Sequence, residues 1–233
     1  MTMPSSSSTP APDILVFDLD DTLYLERDFA FSGFAAVEAH LRRLHGDAVI
    51  PGTCRELFLS GIRQDIFDRA LDRFGIARSP AMIADLVTLY RQHSPYIAAC
   101  PDTFRFLAAD RRPRAIITDG PAQMQRSKIA ALRIADQFGL IIPTGELPPG
   151  MGKPYPRAFE QVMQWSGKDG PAHVYIADNP AKDFIAPRQL GWHTVQIDRP
   201  GRVHSPGAPS PDHAAKATIA SFDELAATLQ MLD

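Results

Sequence analysis

Short apolar runs alternate with amphipathic segments along most of this chain. Runs of apolar and β-branched residues, which are typical of buried strands, occupy residues 14–17, 114–118, 140–142, 173–177 and 193–197. Helical spacing of apolar residues lies between them, at residues 103–109, 122–134, 156–165 and 180–190. Strands that alternate with helices in this way predict βαβ units, and therefore an α/β fold with a parallel sheet.

The region over residues 24–95 breaks this alternation, because it contains no strand-like run. Its apolar residues instead recur at the three- and four-residue intervals of a helix. We therefore predict a helical domain inserted after the first strand, with residues 13–23 and 96–233 forming the α/β core. Residues 1–12 are rich in serine and proline and are expected to form a disordered tail.

The first predicted strand ends at three acidic residues, Asp18, Asp20 and Asp21. Carboxylates this close repel one another, so a fold retains them where a positive charge such as a divalent cation offsets them. Thr118 ends the next strand along the chain, and Asp178 follows a later one. Parallel strands share one direction, so these residues are expected at one edge of the sheet, where α/β proteins bind ligands. Asp18 and Asp178 are therefore candidate metal ligands.

Two helix starts are predicted at the same edge. Gly120-Pro121 precedes one helix, and Asn179-Pro180 precedes another, with Asn179 as the expected N-cap. The free backbone amides and the dipole at such helix N-termini attract anions. Phosphate is the natural candidate for this position.

Composition and charge exclude several classes of function. The chain has 233 residues and a formal net charge of −3, and its charges are interspersed without a basic block. A nucleic-acid partner is therefore not expected. No apolar stretch reaches membrane-spanning length and the N-terminus lacks the pattern of a signal peptide, so we expect a cytoplasmic protein with no membrane partner. Cys54 and Cys100 lie far apart and are expected to be reduced thiols.

Four segments, in this order along the chain, resemble the four motifs of the haloacid dehalogenase (HAD) superfamily. They are Asp18-Leu19-Asp20-Asp21-Thr22, Ile116-Ile117-Thr118-Asp119-Gly120, Gly152-Lys153-Pro154-Tyr155-Pro156, and Tyr175-Ile176-Ala177-Asp178-Asn179 with Asp183. The resemblance covers nearly the whole chain after its first dozen residues. It implies a Rossmann-like three-layer core. The long interval after the first motif resembles subfamily I, in which a helical (C1-type) cap closes over the site.

The resemblance also implies a role for each motif residue. Asp18 is implied to be the nucleophile that forms an aspartyl-phosphate, and Asp20 the general acid and then the general base. Thr118 would hydrogen-bond the phosphoryl oxygens, and Lys153 would neutralise charge on the nucleophile and the phosphate. The residues implied to bind the phosphate group are Thr118, Asp119, Gly120 and Lys153.

The metal that the resemblance implies is Mg²⁺. Its implied ligands are the carboxylates of Asp18 and Asp178 and the backbone carbonyl of Asp20. Asp183 would assist the waters of the metal or orient Lys153. The alternative for Asp183 is an acid in the first turn of a helix that only stabilises the helix dipole.

Asp20 also separates the reactions of this superfamily. Hydrolysis of a carbon–halogen bond needs no acid for the leaving halide, and the dehalogenases lack this aspartate, so its presence favours phosphoryl transfer. The predicted protein is a Mg²⁺-dependent phosphatase, a monomer or homodimer, that acts on a small phosphorylated metabolite such as a sugar phosphate, a nucleoside monophosphate or phosphoglycolate. Two alternatives stay open: a phosphomutase, which returns the phosphoryl group to its substrate, and a catalytically silent binding or regulatory module.

Three positions depart from the motifs of the superfamily. Asp119 stands where asparagine is common, and Ala177 and Asp21 stand where glycine is common. Asp119 is expected to alter either substrate preference or turn geometry, and Asp21 is expected to lie in the turn without a role. Lys128 competes with Lys153 for its role, but its place within a helix favours a solvated face.

Overall fold

The computed structural model describes residues 12–232, so the predicted tail over residues 1–12 lies outside the described residues except for Pro12. The chain divides into two compact units. One comprises the residues up to Leu25 together with those from Ala98 onward, and the other runs from Glu26 to Ile97. The second unit starts and ends two residues later than the predicted range 24–95. That it acts as a cap stays a prediction.

The unit from Glu26 to Ile97 is helical. It contains α1 (Glu26–His45), α2 (Thr53–Leu59), α3 (Ile66–Phe74) and α4 (Pro80–Gln92). Its core is aromatic, and Phe34 of α1 contacts Phe58 of α2 and Tyr90 of α4 at ring-centroid distances of 5.9 and 5.6 Å. Every residue of this unit is described, and none of them is in a strand. Over residues 12–232 as a whole, the helices lack the length and apolar character that a membrane span requires.

Six parallel strands form the sheet of the other unit. They are β1 (Ile14–Phe17), β2 (Arg114–Thr118), β3 (Leu140–Pro143), β4 (His173–Ala177), β5 (His193–Ile197) and β6 (Ala217–Ile219). Their spatial order is β3-β2-β1-β4-β5-β6, and every neighbouring pair is parallel. The predicted α/β class with a parallel sheet is therefore confirmed. Strand β6 has no counterpart among the predicted strands, because a run of three residues is too short to show a period.

Helices cover both faces of this sheet. They are α5 (Pro101–Ala109), α6 (Ala122–Leu132), α7 (Arg157–Ser166), α8 (Ile185–Gln189) and α9 (Leu225–Leu229). Ile14 and Val16 of β1 belong to a buried cluster that includes Phe159 of α7. Phe17 points to the opposite face, where its ring lies 6.1 Å from that of Phe106 in α5. Since successive side chains of a strand alternate between faces, β1 is buried between two helical layers, as the resemblance implied.

The segment after β4 differs from the predicted helix over residues 180–190. Helix α8 begins only at Ile185, and Asn179 instead heads a turn in which its side chain accepts a hydrogen bond from the backbone N–H of Ala181 at 3.1 Å. Proline is tolerated in the first turn of a helix but removes a hydrogen bond farther inside, so Pro187 favours this late start. The predicted N-cap role of Asn179 is therefore wrong, and the segment forms a turn.

Candidate active site

The carboxyl ends of three neighbouring strands bring the predicted motif residues together. Strand β1 lies between β2 and β4, and both pairings are parallel. Asp18 follows β1 directly, Thr118 is the last residue of β2, and Asp178 follows β4 directly. All three residues are at most 4% exposed. Their side chains are therefore buried at one edge of the sheet, where the sequence predicts the site.

Three carboxylates, which we call the acid cluster, share this edge: one oxygen from each of Asp18, Asp178 and Asp183 lies within 4.8 Å of the other two. The ammonium of Lys153 lies against them, with Nζ 2.8 Å from Asp18 Oδ1 and 2.7 Å from Asp183 Oδ1. Lys153 also donates a hydrogen bond to the hydroxyl of Tyr175 at 2.9 Å. The structure thus brings together the predicted nucleophile, the predicted lysine and the acids of the fourth motif.

The acid cluster is short of positive charge. Burial raises the pKa of Asp18 to about 7, although Lys153 acts in the opposite direction. Burial and the neighbouring charges of Asp18 and Asp183 raise the pKa of Asp178 to about 9. Oδ2 of Asp178 is buried and has no hydrogen-bond partner among the described residues. An ionised carboxylate in such a place is unfavourable unless a further cation offsets it.

These residues fit a divalent metal ion. Hard cations such as Mg²⁺ take oxygen ligands, and a cation at this point would satisfy Oδ2 of Asp178 and offset the crowded charges. The predicted ligands Asp18 and Asp178 both belong to the acid cluster, and so does Asp183, which was expected farther from the metal. The second oxygen of Asp183 accepts a hydrogen bond from the backbone N–H of Asn179 at 3.0 Å. The donor set can therefore hold a cation with three carboxylates.

The carboxylate of Asp20 lies outside the acid cluster and has its own partners. Lys128 Nζ lies 2.7 and 2.9 Å from its two oxygens, and Gln125 Nε2 donates to Oδ2 at 2.8 Å. The hydroxyl of Tyr24 donates to Oδ1. Burial alone would raise the pKa of Asp20, but the charge and hydrogen bond of Lys128, with help from Tyr24 and Gln125, hold that pKa below its ordinary value. A metal contact through its side chain is not part of this arrangement, and the backbone carbonyl of Asp20 stays the predicted ligand.

The expected solvated position of Lys128 is wrong, because its side chain is only 2% exposed and forms the ion pair with Asp20. The signal was in the spacing of α6: Gln125, Lys128, Ile129 and Leu132 follow one another at the intervals of a single helix face, and all four are buried. Lys128 therefore occupies a position in the buried face of an amphipathic helix. The contacts of Gln125 and Tyr24 with Asp20 were not predicted either, since neither residue belongs to one of the four motifs.

Asp119 has a compensating cation that the sequence did not suggest. Lys182 Nζ lies 2.9 Å from its Oδ2, while Oδ1 accepts hydrogen bonds from Thr144 Oγ1 at 2.7 Å and from the backbone N–H of Lys153 at 3.1 Å. Burial would raise the pKa of Asp119, but Lys153 and Lys182 hold it below its ordinary value. Asp119 therefore links three loops of the site, and its charge is balanced within the chain.

Two turn residues of the motifs adopt the left-handed backbone region. Gly120 has a φ of 128°, which a residue with a side chain rarely adopts. Asp21 has a φ of 50°, and glycine is favoured at such a position for the same reason. The buried carboxylate of Asp21 accepts a hydrogen bond from the backbone N–H of Val203 at 2.6 Å. Asp21 therefore lies in the turn as expected, and its carboxylate also ties the first motif to the loop after β5.

The family model of the haloacid dehalogenase-like hydrolases matches residues 12–191. This chain belongs to that family. The matched range contains all four motifs and every predicted site residue. The predicted superfamily and the predicted hydrolase class are confirmed.

Two curated relatives are phosphatases. The phosphoserine phosphatase of Thermus thermophilus is 32% identical over 153 residues, which cover 64% of this chain and 59% of that protein. The match thus spans less than two thirds of that relative. The glyceraldehyde 3-phosphate phosphatase of Methanocaldococcus jannaschii is 27% identical over 194 residues, which cover 78% of this chain and 83% of that protein. Both relatives are named as phosphatases, the class of enzyme that the sequence predicts.

The fold is shared with solved structures of the same superfamily. A protein described as a predicted phosphoglycolate phosphatase, from Haemophilus somnus, superposes with a TM-score of 0.67. The two chains are 16% identical, and the alignment covers 95% of this chain and 99% of the other. At this level of identity the likeness concerns the fold, and the chemistry has to be argued from the side chains.

Proposed function

We propose that this hydrolase is a phosphatase that removes the phosphoryl group from a small phosphomonoester through an aspartyl-phosphate on Asp18. The observation that carries the proposal is the placement of Asp18: its carboxylate lies at the end of β1, 2.8 Å from the ammonium of Lys153 and within the acid cluster. A carboxylate in this place can attack phosphorus as a nucleophile. The ammonium of the lysine, and a cation held by the neighbouring acids, would offset the negative charge of the phosphoryl oxygens.

In the first step, an oxygen of Asp18 attacks phosphorus and the bond to the leaving oxygen breaks. The partners of Asp20 keep it ionised in the free protein, so Asp20 first takes the proton carried by the monoanion of the bound ester. It then gives this proton to the leaving oxygen, which departs as an alcohol. Thr118 and Lys153 would hold the phosphoryl oxygens through the hydroxyl and the ammonium, and the turn at Gly120 would bring backbone N–H groups to them. The phosphoryl group is then bonded to Asp18, and Asp20 is a carboxylate.

In the second step, water attacks the phosphorus atom of the aspartyl-phosphate. Asp20 now accepts a proton from that water, and the bond between phosphorus and the Asp18 oxygen breaks. Inorganic phosphate leaves, Asp20 releases its proton to solvent, and both aspartates return to their starting forms. The same side chain therefore serves as acid and then as base, which requires that Asp20 stay close to the phosphorus atom in both steps.

We assign Mg²⁺ as the cation, with Asp18 and Asp178 as carboxylate ligands, the backbone carbonyl of Asp20 as a third ligand, and Asp183 beside them. When bound, the cation supplies positive charge that offsets the phosphoryl oxygens and the acid cluster. The unpartnered oxygen of Asp178 supports this assignment. Lys153 remains in contact with Asp18 and Asp183, where it keeps the attacking carboxylate in place.

The substrate is proposed to be a small phosphorylated metabolite. The two curated relatives are named for phosphoserine and glyceraldehyde 3-phosphate, which are both short phosphomonoesters. A panel for this enzyme should therefore contain these two compounds together with sugar phosphates, nucleoside monophosphates and phosphoglycolate. The proposal places the enzyme in the cytoplasm as a monomer or homodimer, without a nucleic-acid or membrane partner.

The test is phosphate release by the purified protein from p-nitrophenyl phosphate and from this panel. We expect turnover with Mg²⁺, no turnover with EDTA, and recovery when Mg²⁺ is restored. Asp18→Asn should lose at least about a thousandfold in kcat, because it removes the nucleophile. Asp13→Asn is the matched control, since Asp13 immediately precedes β1 and is largely exposed.

Two outcomes would replace this proposal with an alternative. Isomerisation of a sugar phosphate without release of phosphate would identify a phosphomutase. The absence of turnover on the whole panel, with a folded protein and Mg²⁺ present, would favour a silent binding module.

A further inference from the structure

The carboxylate of Asp20 is held by three buried side chains. Lys128 contacts both oxygens at 2.7 and 2.9 Å, Gln125 donates to one of them at 2.8 Å, and Tyr24 donates to the other. Lys128 is 2% exposed, and Gln125 and Tyr24 are fully buried. Asp20 is thus oriented by contacts on both of its oxygens.

Two residues of the buried face of α6 make this contact. Gln125 and Lys128 lie three residues apart on the same buried face, while Arg126 between them is exposed and pairs with Glu146. Burying an ammonium is unfavourable unless it is paired, and an apolar side chain of similar length would fill the same space without that penalty. Packing alone therefore does not explain a lysine at position 128.

We propose that Lys128 and Gln125 are positioning residues that hold Asp20 in the orientation from which it exchanges a proton with the leaving oxygen. The inference rests on the proposed function, because it takes Asp20 as the proton donor. The amide of Gln125 also donates to the hydroxyl of Thr118. A single side chain on α6 therefore sets the distance between the proton donor and the hydroxyl proposed to bind the phosphate.

Lys128 would act in the reaction through its positive charge, which stays fixed while the proton of Asp20 is transferred. When the proton of Asp20 moves to the leaving oxygen, negative charge develops on Asp20, and the fixed ammonium stabilises that charge as it forms. When water later attacks the aspartyl-phosphate, Asp20 takes a proton back. Lys128 keeps its own protons in both steps. Its contribution is largest for a basic leaving oxygen, whose departure depends most on the transferred proton.

The test is the dependence of the rate on the leaving group in Lys128→Met, which keeps the length of the side chain and removes its charge. We expect kcat/KM for glycerol 2-phosphate, an alkyl ester, to fall by about 100-fold, the scale of general acid catalysis. For p-nitrophenyl phosphate, whose leaving oxygen needs little protonation, we expect a fall of less than about fivefold. Lys128→Arg should recover part of the activity on the alkyl ester.

Arg126→Met is the matched control, since it removes a cation from the same helix but from the exposed face. Both substrates should be turned over at the wild-type rate. Gln125→Met provides a second variant that leaves no unpaired buried charge, and we expect the same selectivity at roughly tenfold on the alkyl ester. It keeps the test decisive where Lys128→Met is poorly folded.

A crystal structure of Gln125→Met or Lys128→Met gives a readout that does not depend on turnover. We expect the Asp20 side chain to leave the orientation that it has in the wild-type crystal. An unchanged Asp20, or an equal loss on both substrates, would overturn the positioning role. A wild-type protein that hydrolyses nothing would instead refute the proposed function, and the position of Asp20 would still decide whether α6 orients it.

Discussion

The two sides of the candidate site treat buried acids in opposite ways. In the acid cluster, Asp18, Asp178 and Asp183 lie within 4.8 Å of one another, and Lys153 contacts two of the three. On the other side, a single carboxylate, that of Asp20, receives donors from three side chains. Burial raises the pKa of Asp18 and Asp178, whereas the pKa of Asp20 is held below its ordinary value.

Exposure contributes to this difference, since the Asp20 side chain is 18% exposed while Asp18, Asp178 and Asp183 are buried, but the number of donors for each acid differs more. Burial disfavours any ionised carboxylate, and only nearby cations or hydrogen bonds reverse that effect. The chain itself supplies them to Asp20, so that side is electrostatically complete. The acid cluster leaves Oδ2 of Asp178 without a partner, and its charge is offset either by bound protons or by a further cation. Under the proposed function, the metal would bind on the side of the acid cluster, and the proton would be exchanged on the side of Asp20.

The largest effect that separates the two sides is expected from a comparison of Lys153→Met with Lys128→Met. Lys153→Met should lower the free energy of unfolding by roughly 3–5 kcal/mol, as is typical when one partner of a buried ion pair is removed. Mg²⁺ should restore much of that loss, because the cation offsets the same carboxylates. Lys128→Met should lose less, since Gln125 and Tyr24 still donate to Asp20. Urea unfolding with and without Mg²⁺ measures both effects.

Recovery of Lys128→Met by Mg²⁺ to the same degree would contradict this comparison, because the cation would then offset the carboxylate of Asp20 as strongly as it offsets the acid cluster. Arg105→Met serves as a control for the loss of a cation alone. Its ion pair with Asp223 is exposed on both partners, so we expect little change in unfolding.

A second prediction concerns the unpartnered oxygen of Asp178. Asp178→Asn should weaken the binding of Mg²⁺ by about 100-fold, since it removes a charged oxygen ligand from the cluster. The metal-free variant should also be more stable than the wild type, because one of three crowded acids is gone. Isothermal titration with Mg²⁺ and thermal unfolding in EDTA measure the two changes. A variant that binds Mg²⁺ as tightly as the wild type would move the metal away from Asp178.

The acid cluster was the more predictable side of the site. Asp18 and Asp178 each follow a recognisable strand, and parallel strands bring their carboxyl ends to one edge, so their proximity follows from the pattern alone. The place of Lys153 beside these acids was predictable from the third motif. The sheet was predictable for the same reason, except for β6, whose three residues carry no period.

The Asp20 side was predictable only in part, because its partners lie outside the motifs. Lys128 shares a buried helix face with Gln125, and the spacing of the two residues indicates this in the sequence. The prediction of a solvated lysine followed instead from the general rule that lysine side chains are exposed. The pair of Asp119 and Lys182 is different. These residues lie 63 positions apart in two loops, and no local pattern relates them. Only the packing of the loops brings their charges together.

A third prediction follows from the raised pKa values in the acid cluster. Asp178 has a pKa of about 9 and Asp18 one of about 7, both above the usual 3.8, so the folded metal-free protein holds protons that the unfolded chain has released. Its stability should therefore fall as pH rises toward 9. Mg²⁺ displaces those protons, so its apparent affinity should rise by about tenfold per pH unit for each proton displaced.

Thermal unfolding with and without Mg²⁺ across pH 6–9 measures this linkage, and the shift caused by Mg²⁺ should grow with pH. In Asp178→Asn the growth should be smaller, since one of the two protons is missing. A shift that is independent of pH would mean that the cluster is already ionised without the metal.

The smallest expected effect comes from Asp119, which stands beside Thr118 and is paired with Lys182. Asp119→Asn keeps an oxygen that can accept from Thr144 and from the backbone of Lys153, but it removes a negative charge near the proposed phosphate and releases the ammonium of Lys182. Since the side chain of Lys182 is 32% exposed, solvent screens the change, and we expect inorganic phosphate to inhibit about two- to fivefold more strongly. Competitive inhibition by phosphate measures it, with Glu146→Gln as the exposed control. Weaker inhibition would mean that Asp119 holds the loops in place and that its charge is of no consequence to the anion.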